Sequence, residues 1–214
     1  MPSLSQLLVF VVTSIVLIEI PGPSLLFAIG RALTVGRRDA VLSVVGNGLG
    51  LLVQVLAVAA GLGAVVAASA TAFTALKLVG AAYVLYLGVQ AIRHRADARV
   101  ALEERVAARR TTSGWGAVRT GVAVGVTNPK TIVFFVAFLP QFVDDGAPAA
   151  PQLVLLGILF AVLAVASDSC WVFAAGRARE WFGRRPERLD KLGATGGVMM
   201  IGLGATLAVS GNSG

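Results

Sequence analysis

Three ionisable side chains stand inside long apolar runs: Glu19 in LLVFVVTSIVLIEIPGPSLLFAIGRAL (7–33), Lys130 in GVTNPKTIVFF (125–135), and Asp168 between residues 152 and 175. An ion held away from water is costly unless it is paired or hydrated, so each is a candidate for chemistry. A carboxylate in an apolar cavity beside an ammonium can hold either a proton or a cationic ligand group, and competition between the two would couple their movements. On that reading Glu19 and Asp168 carry the coupling proton or a ligand's ammonium. The plainer alternative is a structural pair in which one of them neutralises Lys130. A fourth charge, Lys77, falls near the end of an apolar run, where it can snorkel to the interface.

The prolines beside these charges define their setting. Pro21, Pro23 and Pro129 release the carbonyls of Leu17, Glu19 and Gly125 from helical hydrogen bonding, and protein, ion, ligand or water must satisfy them. Gly22 before Pro23, and Asn128 before Pro129, read as N-caps followed by proline at the first helical position. Each break therefore begins a new half-helix. Its N-terminus carries about half a positive charge and favours a carboxylate.

The elements that must hold these residues are membrane spans. Hydrophobic residues make up 57% of the 214-residue chain and charged residues only 14%, with a mean hydropathy of +0.83, outside the range of soluble domains. At about 20 residues per crossing, six spans are expected near 4–32, 40–67, 72–92, 116–142, 152–175 and 192–211. A tight turn is expected in AASATAFTA (67–75). The fold class is all-α integral membrane, with helices one and four broken at proline motifs. Three spans per half insert residues 1–93 and 115–214 in opposite senses, as two inverted repeats of a single domain, joined by a basic loop at 94–114. The two half-helix N-termini should then converge near the midplane.

The net charge of +7 arises mainly from three alternate loops: Arg31, Arg37 and Arg38, then Arg93 to Arg119, then Arg177 to Lys191. That distribution reads as the positive-inside signal, not as a nucleic-acid surface, and places both termini outside. The opening MPSLSQ lacks a basic n-region, so the first span is expected to stay in the mature protein. One cysteine and one histidine leave no disulfide or zinc-type ligand set, no phosphate-binding loop appears, and no cofactor is expected. Any transport would draw on a gradient.

Other polar residues are sparse. Asn47 and Gln54 lie seven apart on one face of the second span, Thr13 and Ser14 precede the first break, and Ser167 and Ser169 flank Asp168. Asn47 is a candidate ligand contact. GNGLG (46–50) and GATGG (193–197) carry small-residue spacings that serve either a homodimer or an intrachain contact.

PGPS (21–24), GRRDA (36–40), KLVGAAYVLYLG (77–88) and NPKTIVFFVAFLPQF (128–142) together resemble the lysine exporter and homoserine/threonine resistance family of amino-acid efflux transporters. The likeness runs through nearly the whole chain. It implies a bacterial inner-membrane exporter moving amino acids outward, against protons, with Pro21, Gly22, Pro23, Asn128, Pro129 and Lys130 in the translocation core. The family's first motif usually ends in aspartate; here that position is Ser24. Glu19, just over a helical turn earlier, is a candidate to supply the missing carboxylate.

The resulting expectation is alternating access, one half rocking against the other around a midplane site for a small zwitterionic or cationic amino acid. The half-helix N-termini and Lys130 hold its carboxylate; Glu19 and Asp168 hold its ammonium or the proton. The main rival is a passive channel or uniporter, which opposed half-helices can also line. A metal-ion exporter is weakened by the scarcity of ligands, and an intramembrane enzyme by the lack of a nucleophile motif.

Overall fold

Ser3 starts the first helix with a capping box: its hydroxyl accepts from Gln6 N, and the Gln6 side chain accepts from Ser3 N. The helix then follows its apolar run to Glu19 and stops before Pro21. In this computed structural model, which describes residues 2–68, 70–93, 114–144, 146–178, 184–185 and 187–209, every regular element is helical. In chain order these are α1 (Leu4–Glu19), α2 (Pro23–Thr34), α3 (Arg37–Ala68), α4 (Ala70–Arg93), α5 (Gly114–Val126), α6 (Pro129–Ala137), a 3-10 turn (Leu139–Phe142), α7 (Ala149–Arg177) and α8 (Glu187–Val209).

Both expected breaks are present, with the expected caps. Gly22 is the N-cap of α2 with Pro23 at its first position, and α1 and α2 meet at 55°. Asn128 is the N-cap of α6 with Pro129 following, and α5 and α6 meet at 49°. Gly36, at φ +93°, makes the left-handed turn into α3 that a Cβ would disfavour.

Among the described residues, Arg37–Gly61 and Ala149–Arg177 are each long and apolar enough to cross a membrane. Each bent pair counted as one span brings the total to as many as four. The regions expected as spans three and six form α4 and α8. Of the expected turn at 67–75 only residue 69 lies outside the described residues; the rest is helix, in α3 to Ala68 and in α4 from Ala70. The basic loop expected at 94–114 lies outside them up to residue 113, with Gly114 already in α5, and the Lys77 side chain lies outside them too.

Packing does not divide at that loop. α3 lies most extensively against α5 and α7, and α4 against α8 and then α6, so the principal contacts join the first half of the chain to the second. Glycines make the closest approaches. A Cβ on Gly46 or Gly50 would strike the backbone of α5 at Val118 or Val122, and one on Gly121 or Gly125 would strike α3 at Ser43 or Asn47. Gly88 and Gly197 meet in the same way between α4 and α8, and Gly196 lies against the Pro21 carbonyl. The small-residue motifs at 46–50 and 193–197 therefore serve contacts within the chain.

The largest core cluster wraps the second break. Phe160 of α7 stacks near Phe134 and edge-on to Phe135, with centroids 5.1 and 5.0 Å apart, while Phe10 of α1 meets Phe142 at 5.2 Å. Outward faces are also apolar: Leu8 and Val12 on α1, Leu49 and Val53 on α3, and Ile158 and Val162 on α7 are all exposed. Hydrocarbon suits such a surface; water does not.

Candidate functional site

The two half-helix starts meet. The Asn128 side chain performs two jobs: Oδ1 accepts from Lys130 N (3.1 Å), capping α6, and Nδ2 donates to Ser24 Oγ (2.7 Å) at the start of α2. Ser24 Oγ in turn donates to Asn47 Oδ1 on α3 (3.2 Å). Asn47 and Asn128 are each buried. Three elements far apart in sequence are thus joined at the point where amide dipoles converge.

The carbonyls released by the breaks find specific partners. Gln54 of α3 directs Nε2 at Gly125 O, Val126 O and Asn128 O, at 2.7, 3.0 and 3.2 Å. One amide thereby covers the carbonyl end of α5. In the first break, Ile20 N donates to Leu17 O (3.2 Å), and Lys130 Nζ donates to Ile20 O (2.6 Å). A Cβ on Gly22 would come within 3.0 Å of Lys130 Cδ, so the glycine leaves room for that side chain.

Two cavities open on this junction, and Lys130 lines both. The inner one, about 20 Å³, has Ser24, Asn47, Asn128, Thr131 and Asp168 in its wall and holds about one water. Asp168 is 3% exposed and Lys130 7%, so their charges act in surroundings that water scarcely screens. The outer one, about 260 Å³, is lined by Pro21, Gly22, Pro23, Pro129 and Lys130 on the broken helices and by residues of α4 and α8.

Glu19 lies apart from both walls. Its Oε1 accepts from Ser167 Oγ and its Oε2 from Trp171 Nε1 (3.0 Å), both on α7 around Asp168. The cavity that Ser24 lines has Asp168, and not Glu19, among its described lining residues. The hydrogen bonds also show no pairing of Glu19 with Lys130, since each engages a neutral partner.

Two residues that hold the site, Gln54 and Trp171, and one buried charge, Arg31, were not among the candidates read from the sequence. Gln54 was noted only as sharing a face with Asn47; a lone amide beside Gly50 in an apolar helix was the available signal. Trp171 requires knowledge of the α1–α7 contact. Arg31, assigned above to a loop charge cluster, is instead buried on α2, with Nε donating to Ser43 Oγ (3.0 Å). Its place seven residues after Ser24 puts both on one face of that helix.

Matched broken helices that meet end to end within an apolar helical chain are an architecture of membrane transporters. The chain belongs to the LysE type translocator family, which it matches over residues 15–211. It is 33% identical over 204 residues to an uncharacterised membrane protein of Vibrio cholerae, covering 95% of this chain and 96% of the relative. It is 31% identical over 199 residues to a homoserine/homoserine lactone efflux protein of Salmonella typhimurium, covering 93% and 94% respectively. A membrane protein of Pseudomonas aeruginosa is 31% identical over 210 residues, covering 94% of each chain. No solved structure matches.

Proposed function

We propose that this translocator exports a small amino acid or a related amine-bearing metabolite across a bacterial inner membrane, driven by protons. The observation that carries the reading is the hydrogen-bonded meeting of the α2 and α6 N-termini at the inner cavity, with Lys130 beside it reaching also the wall of the 260 Å³ cavity. Those termini and the ammonium make a site for a carboxylate. The efflux named for the Salmonella relative fits the same substrate class.

Asp168 is the proposed proton carrier, close enough to Lys130 to share a cavity and buried enough for its charge to matter. Glu19, bonded to Ser167 and Trp171 on either side of Asp168, couples that carboxylate to the first broken helix. The halves 1–93 and 115–214 each run broken helix, straight helix, straight helix, which supports inverted insertion around a cytoplasmic basic loop with both termini outside. The proposed motion is one half rocking against the other around this site, with the outer cavity opening between the broken helices and α4 and α8.

The test is efflux from proteoliposomes preloaded with labelled amino acids, with and without an imposed proton gradient. Uphill movement that collapses with the gradient is expected. Downhill-only flux, indifferent to protons, would leave a channel or uniporter in its place.

A further inference from the structure

We infer that the outer cavity is a side-chain pocket for amino acids with an uncharged, mainly apolar side chain, and that it rejects lysine and arginine. This rests on the exporter reading above and narrows its substrate from zwitterionic or cationic to neutral.

The wall chemistry carries the inference. Beyond the break residues, the cavity is lined by Leu26 of α2, Leu87, Gln90 and Ala91 of α4, and Gly193 and Met200 of α8. Among the described residues Lys130 is the one charged side chain in that wall, and it is a cation. A ligand whose carboxylate meets Lys130 and the half-helix ends would lay its side chain along Leu26, Leu87, Ala91 and Met200. There an apolar chain gains from burial in proportion to its length. A second ammonium or a guanidinium would lose its water without meeting an anion, at a cost well above that gain.

The two acids of the site cannot supply the missing anion from where they stand. Asp168 lines the inner cavity, and Glu19 is engaged by Ser167 and Trp171 on α7. The one polar neutral side chain among the described residues of the outer wall is Gln90. Its Nε2 donates to Tyr86 Oη (2.6 Å), so its oxygen is the group left to accept from a ligand ammonium or hydroxyl. A single hydroxyl in the ligand's side chain is thus compatible with the pocket, whereas a fixed positive charge is not.

The experiment is competition in proteoliposomes containing the full chain, with labelled leucine as the carried species and unlabelled norvaline, methionine, homoserine, lysine and arginine as competitors. Norvaline and methionine should compete at least about tenfold better than lysine or arginine, the scale on which apolar pockets discriminate. Leu87→Asp places an anion in the wall and should shift the leucine-to-lysine ratio by a similar factor toward lysine. Should that variant fail to fold, Ala91→Phe serves instead: it fills the pocket and should weaken methionine more than alanine.

Equal competition by lysine in the unaltered protein, with amino-acid export intact, overturns the pocket assignment and leaves the exporter standing. So does a ratio unmoved by a folded Leu87→Asp. Transport of no amino acid at all overturns the exporter reading, and the pocket with it.

Discussion

Lys130 is the residue on which both cavities depend, and its neighbours give separable tests of its role. Gly22→Ala puts a methyl 3.0 Å from Lys130 Cδ, so the flexible side chain must shift. We expect transport to fall severalfold with little change in thermal stability in detergent. Gly30→Ala on the same helix meets open space and should leave transport unchanged while adding about 0.5–1 kcal/mol of stability. Asp168→Asn should abolish the proton response while leaving downhill exchange measurable. Because Ser24 lines the same inner cavity, Ser24→Asp should restore part of that response in the Asp168→Asn background; no recovery in proton-driven efflux would argue against Asp168 as the carrier. Of these residues, the breaks and their caps were legible in the sequence because proline acts on its own turn. The direction of Glu19 was not, since Ser167 and Trp171 lie about 150 positions away.

At the scale of elements, Gln54 joins α3 to the carbonyl end of α5 through three acceptors. Gln54→Leu leaves Gly125, Val126 and Asn128 oxygens without that donor. Asn128 O keeps Ile132 N and Thr131 Oγ1, and Gly125 O keeps Asn128 N, so the loss falls mainly on Val126 O; one unsatisfied buried group costs about 1–3 kcal/mol, which should appear as a lower unfolding midpoint in micelles. Removing the unpartnered Gln54 Oε1 offsets a fraction of it. Gly125→Ala drives a methyl into the Asn47 backbone and has no flexible neighbour to yield. It should cost about 3 kcal/mol or more and disturb the Ser24–Asn47–Asn128 chain together with the packing. The amphipathic signals that place surface helices in soluble proteins were of little use here, because α3 and α7 are apolar all round. Their glycines were the better guide, although spacing alone left open whether the partner was a second copy or, as found, a helix of the same chain.

For the whole molecule, the order of elements was readable and their neighbours were not. Counting charges and apolar runs predicts two inverted halves without saying which helices touch; the packing pairs α3 with α5 and α7, and α4 with α8. The reason is physical: in an apolar medium, helices associate by close backbone fit, which a hydropathy profile does not register. The α4–α8 contact has a consequence for the newborn chain. α4 leaves the ribosome long before α8, and the glycine surface at Gly88 that awaits Gly197 has no other close partner of that kind among the described helices. α4 can meet α3 and then α6 as those are made, but its glycine face at Gly88 stays unfilled until the last stretch of the protein is made. That seam closes only at the end of synthesis, and a chain stopped before residue 187 would lack it.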